Sequence, residues 1–147
     1  MDKILISISD FYEDISKILL DSAILVLNKN KVRYEKITVP GVFHLANAIN
    51  MGLENYEYIG VIVLGCIIRN KTLQSDIVAS ECIRAIHEIS IYYSVPLGFG
   101  LLRVNNKKQA LDSAHKYAKN ATNACMQMMK IKEQFMICND KEKPSFH

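Results

Sequence analysis

Along the chain, short apolar runs alternate with segments whose apolar residues recur at helical spacing. Lys3 to Ser9 is apolar and β-branched and predicts a buried strand. Asp14 to Asn28 carries Ile15, Ile18, Leu19, Ala23, Val26 and Leu27 on one face, which predicts a helix. Arg33 to Val39 predicts a second strand, ended by Pro40-Gly41. A helix from Phe43 to about Asn55 follows, then a third strand from Ile59 to Cys66. That strand lacks polar alternation, as expected when both of its faces are covered. Asp76 to Tyr93 sets Val78, Cys82, Ala85, Ile86 and Ile89 on one helical face, and Leu97 to Leu102 reads as a fourth strand. Lys107 to about Phe135 predicts a long final helix with a stripe of Ala110, Ala114, Ala118, Ala121, Cys125 and Met128. Such a stripe predicts close packing against another helix, within the chain or between subunits.

Four βα units joined by short connections predict a parallel sheet with helices on both faces, a three-layer α/β/α sandwich. The expected organisation is one domain over residues 1–138, with a polar, disordered tail over 139–147. At 147 residues, half of them hydrophobic, the chain is long enough for a substantial core. The longest apolar run, Val61 to Ile68, is far too short to span a bilayer, and Lys3-Ile4-Leu5-Ile6 reads as a first strand rather than a leader. No membrane association is expected, and the cytoplasm is the expected location.

A net charge of +3 gives no argument for nucleic acid. The four cysteines, Cys66, Cys82, Cys125 and Cys138, form no CxxC pair and predict free thiols. His44, His87 and His115 stand apart, so no metal site is expected.

Candidate chemistry lies in two segments, Val39-Pro40-Gly41-Val42-Phe43-His44-Leu45 and Leu64-Gly65-Cys66-Ile67-Ile68-Arg69-Asn70-Lys71-Thr72. Each is a strand that ends in a loop opening a helix. In a parallel sheet, loops at the carboxyl ends of strands converge on one crevice, and a helix amino terminus there offers free N–H groups to an anion. The pair therefore predicts a small-molecule site with an aromatic wall at Phe43 and an anion loop over residues 70–72.

These segments, with Phe11 and with Pro96-Leu97-Gly98-Phe99-Gly100-Leu101-Leu102, resemble the 6,7-dimethyl-8-ribityllumazine synthase family, which has VPGAFE-type and GCVIRGxTxHFD-type motifs in this order. The resemblance runs from Ile4 to about Met129 and implies a flavodoxin-like strand order 2-1-3-4. It also implies condensation of 5-amino-6-(D-ribitylamino)uracil with 3,4-dihydroxy-2-butanone 4-phosphate, the penultimate step of riboflavin synthesis. An amine attacks a ketone, phosphate leaves, and a ring closes with loss of water, with no cofactor.

Residue by residue, the resemblance implies that Phe11 stacks the pyrimidine. Val42, Phe43 and His44 meet the ring and ribityl chain, and Cys66, Ile67 and Ile68 read the pyrimidine through main-chain groups. Lys71 and Thr72 match the phosphate loop, and Phe99 matches an aromatic reaching the pocket from an adjacent subunit. A pentamer follows, with a decamer or a sixty-subunit shell as further assemblies and riboflavin synthase as a partner. Cys66 has no histidine partner at recognisable spacing and is not read as a nucleophile.

Several positions depart from the family pattern. Gln74 stands at the catalytic His, Ser113 at a phosphate-binding Arg, and Ala121 at a Lys, while Asn120 and Asp76 keep the family's residue types. His44 replaces a carboxylate, and Arg103-Val104-Asn105-Asn106 replaces a Thr-Thr-Asp stretch. With Ser113 unable to fork around a phosphate, a substitute cation is expected, with Lys71 first, Lys116 second and Arg103 third. Two other readings stand beside an active enzyme: a non-catalytic ligand-binding or shell-forming descendant, and a flavodoxin-like nucleotide-binding or signalling module. The second finds no Gly-rich phosphate fingerprint after the first strand.

Overall fold

A computed structural model of the chain describes residues 2–69 and 73–137. Its elements alternate: β1 (Lys3–Ser9), α1 (Glu13–Lys29), β2 (Arg33–Val39), a 3₁₀ turn (Val42–His44), α2 (Leu45–Asn55), β3 (Gly60–Ile68), α3 (Leu73–Tyr93), β4 (Leu97–Val104) and α4 (Lys107–Ile137). The strands form one sheet in the order β2-β1-β3-β4, and every neighbouring pair is parallel. The expected 2-1-3-4 order and helix-covered sheet are what the chain adopts.

Two apolar clusters define the layers. On one face Ile4, Ile6 and Ile8 of β1, Ile62 and Leu64 of β3, and Leu102 and Val104 of β4 pack with Ile15 and Leu19 of α1 and with Ala110, Ala114 and Ala118 of α4. On the other, Leu5, Val61, Val63 and Leu101 pack with Leu45 and Ile49 of α2 and with Ile86 of α3. Alternation along each strand thus sends even and odd positions to opposite layers. Burial of both faces explains why β1 and β3 read as unbroken apolar runs.

The small-residue stripe of α4 packs within the chain, against α1 and the sheet. Ser22 of α1 donates to the His115 carbonyl of α4 at 2.6 Å. Beneath α4, a Cβ placed on Gly98 would run into the Ala121 carbonyl oxygen, whereas one placed on Gly100 would first meet Leu64 Cδ2 and the Val63 carbonyl of β3, both at 2.8 Å. The helix backbone therefore lies directly on β4 at Gly98, where a glycine permits that approach. Ala121 is buried in this contact, where the family carries a Lys.

Element ends differ from the expectations by a few residues. β4 continues past Leu102 to Val104, because Val104 still packs in the α1/α4 layer and its carbonyl accepts from the Arg69 N–H at 2.7 Å. Arg103 interrupts the apolar run only because it faces the other layer. The expected helix from Phe43 divides into the 3₁₀ turn and α2, and α3 begins at Leu73 rather than Asp76. The tail over 139–147 and Cys138 lie outside the described residues.

Candidate active site at the carboxyl edge of the sheet

The carboxyl ends of β1 and β2 are tied by the Asp10 N–H, which donates to the Val39 carbonyl at 3.1 Å. The chain then leaves each strand as a short loop. Gly65, near the end of β3, is where the loops meet. A Cβ there would come within 3.2 Å of Leu101 Cδ1, 3.3 Å of Val42 Cγ1 and 3.4 Å of Ser9 Cβ. The bare backbone at 65 thus lets Val42 fold down onto β3 between the ends of β1 and β4. The 3₁₀ turn that carries Val42 is closed by the His44 N–H donating to the Gly41 carbonyl at 3.1 Å.

Seating Val42 directs its neighbour outward. Phe43 is 67% exposed and Phe11, two residues beyond Ser9, is 68% exposed. Large aromatics with two-thirds of their surface in water are not core residues; their loops hold them available for contact. Each ring has one neighbour edge-on, Tyr12 beside Phe11 at 4.9 Å and His44 beside Phe43 at 6.0 Å between centroids. His44 is exposed on the same turn.

At the end of β3 the side chains divide between layers. Cys66 and Ile68 turn into the α1/α4 cluster, and Ile67 turns toward α2 and α3. Burial pushes the Cys66 thiol up to about 11, so it stays protonated near neutral pH and makes no nucleophile. The three residues can still offer main-chain groups beyond the pairing of β3.

Ile67 lies in direct register with Arg103 on the adjacent β4. The Arg103 guanidinium donates to Asp76 Oδ1 at 3.3 Å, and Arg69 Nε stands 3.4 Å from the same oxygen. Two guanidinium groups therefore share one carboxylate at the start of α3. Sequence reasoning ranked Arg103 last among the candidate cations and did not join it to Arg69. The legible signal was its period-two spacing from Phe99 and Leu101 along one face of β4.

The remaining candidates are not gathered into this group. Phe99 faces the α2/α3 layer in register with Val63, five residues before the end of β3, or about 16 Å along the strand. Ser113 is exposed on α4, which covers the opposite face of the sheet. It lies six residues past Lys107, or about 9 Å down the helix axis. Lys71, Thr72 and the side chain of Gln74 lie outside the described residues. Among the described residues no helix is long and apolar enough to cross a membrane.

Comparison with known proteins places this arrangement in a family. The family profile of 6,7-dimethyl-8-ribityllumazine synthase matches residues 2–133. The 6,7-dimethyl-8-ribityllumazine synthase of Bartonella tribocorum is 36% identical over 137 residues, which cover 90% of this chain and 91% of that protein. Its counterpart from Bartonella bacilliformis is 37% identical, covering 85% of this chain and 86% of its own length. The Paramagnetospirillum magneticum protein of the same name is 34% identical, covering 91% and 97%. Matched over nearly all its length, the chain belongs to the 6,7-dimethyl-8-ribityllumazine synthase family.

Proposed function

We infer that this chain condenses 5-amino-6-(D-ribitylamino)uracil with 3,4-dihydroxy-2-butanone 4-phosphate to 6,7-dimethyl-8-ribityllumazine, releasing phosphate and water. Family membership over residues 2–133 carries the reading. The seating of Val42 on Gly65, which leaves Phe43 outside the core, supports the placement of its site.

In this reading Phe11 stacks the pyrimidine, and Val42, Phe43 and His44 take its far edge and the ribityl chain. Main-chain groups of Cys66, Ile67 and Ile68 hydrogen-bond the ring. Lys71 and Thr72 receive the phosphate, while Ser113 supplies a hydroxyl but no charge. Holding two reactants in register can be worth about 7–11 kcal/mol, more than the roughly 10²–10⁴-fold of a positioned acid–base group. The pocket therefore carries most of the rate, and Gln74 orients a water or the ketone oxygen without taking up a proton.

The resemblance takes Phe99 into the pocket of an adjacent subunit, and with it the closed ring of five that such a shared site requires. Exposed Ile91, Tyr92, Met128, Phe135 and Met136 offer apolar surface for such association. A decamer or sixty-subunit shell, contact with riboflavin synthase, and a cytoplasmic setting complete the proposal.

The test is the rate of lumazine formation by purified protein, corrected for the spontaneous reaction. A rate no greater than the spontaneous one overturns the reading. Within an active enzyme, Gln74→His is expected to raise kcat and to introduce a break near pH 6.5, about the usual imidazole value. An already fast wild type that the substitution leaves unchanged would mean another base serves.

A further inference from the structure

The Arg69–Asp76–Arg103 group joins two positions of the family's second motif, Arg69 and Asp76, to an arginine on β4 that no family motif accounts for. Two guanidiniums against one carboxylate leave a formal charge of 2 − 1 = +1 at the edge of the sheet. The side chains are 48%, 36% and 42% exposed for Arg69, Arg103 and Asp76, so water reaches all three. The turn from β4 into α4, Asn105 to Lys108, adds Lys107 and Lys108 and no acid. Lys107 is itself engaged by Asp14 at 2.7 Å.

We propose that Arg103, held beside Arg69 by their common contact with Asp76, supplies the guanidinium that Ser113 does not provide for the phosphate of the phosphorylated substrate in this enzyme. The assignment rests on the condensation proposed above and uses none of residues 70–72.

Position carries the argument. Arg103 pairs in register with Ile67, and adjacent strands lie only about 4.8 Å apart. The Arg103 guanidinium meets Arg69 and Asp76 just past the end of β3, so a phosphate held beyond the ring is within its reach. Within one chain Arg103 faces the α2/α3 layer, on which Val42 packs, whereas Ser113 and Lys116 belong to a helix on the other face and could reach this edge only from an adjacent subunit. An arginine has five donors in a fork suited to phosphate, and the contact with Asp76 uses one of them. Solvent-exposed ion pairs are weak, so a phosphate of charge near −2 can compete with a single carboxylate. Asp76 then acts as a placeholder that keeps two like charges together when the anion is absent.

The experiment compares wild type with Arg103→Ala, Arg103→Lys and Lys116→Ala. It measures KM for each substrate, competitive inhibition by inorganic phosphate, and direct phosphate binding by calorimetry. Arg103→Ala is expected to raise KM for the phosphorylated ketone by about tenfold or more, as for loss of a hydrogen bond to a charged group. The phosphate inhibition constant should rise in parallel and KM for the pyrimidine should hold. Arg103→Lys should fall between, keeping the charge and losing the fork. Unchanged phosphate binding in Arg103→Ala overturns the assignment, as does an effect that appears only in Lys116→Ala. A wild type that binds phosphate through Arg103 yet forms no lumazine would sink the proposed reaction and leave the anion site standing. Lumazine formation with phosphate binding indifferent to Arg103 would do the reverse.

Discussion

The two sides of this molecule solve opposite problems. Where α4 lies on β4, a small residue brings two backbones together: Gly98 faces the Ala121 carbonyl with no space between. At the carboxyl edge, a single small residue, Gly65, lets Val42 in so that Phe43 stays out. Both regions depend on glycine as an absence of side chain. In the first the gain is burial, and in the second it is the exposure of an aromatic ring. Stability should therefore be concentrated in the α4–β4 contact and activity in the strand-end loops, with little overlap.

The largest expected effect tests the packed side. Gly98→Ala sets a methyl against the Ala121 carbonyl, backbone that cannot rotate aside. Overpacking of this kind typically costs about 1–3 kcal/mol, and a backbone obstacle puts this case at the upper end. Denaturant unfolding should show it, and a loss under about 0.5 kcal/mol would mean that α4 slides freely on the sheet. The mirror experiment is Phe11→Ala. Stacking on an aromatic is worth about 1–3 kcal/mol per base, so KM for the pyrimidine should rise by about tenfold. With 68% of Phe11 already in water, stability should move by less than about 0.5 kcal/mol. A variant that unfolds instead would place Phe11 in the core.

A smaller effect separates the regions by pH. Burial beneath α4 pushes the Cys125 thiol up to about 12, from an ordinary 9.0. Between these values the unfolded chain gives up a proton that the folded chain keeps, so stability is complete below pH 9 and declines as pH rises toward 12. Cys125→Ala should lower stability at neutral pH and flatten that alkaline decline, read as the melting temperature between pH 8 and 11. An unchanged slope would assign the decline to other groups. Tyr58, pushed up to about 12 by burial and by its hydrogen bond to Glu35, is the first of those.

The order and type of every element were legible in the chain, because strands covered on both faces must read as apolar runs and helices must show a stripe. The strand-end segment around Phe43 was legible too, since glycine, proline and an aromatic between two predicted elements mark an exposed turn. Element ends were less so: Arg103 looked like the close of a strand, yet β4 continues because its neighbours alternate between layers. Only the tertiary structure decided that the α4 stripe packs inside the chain, that Ala121 is buried over β4, and that Val42 rests on Gly65. It also decided that Ser113 and Ile67 lie on different faces of the sheet. Periodicity records which side of an element is apolar, but not what lies across from it. The pairing of Arg103 with Ile67, and its meeting with Arg69 at Asp76, depends on strand register and on where α3 begins, and both are fixed only when the sheet closes.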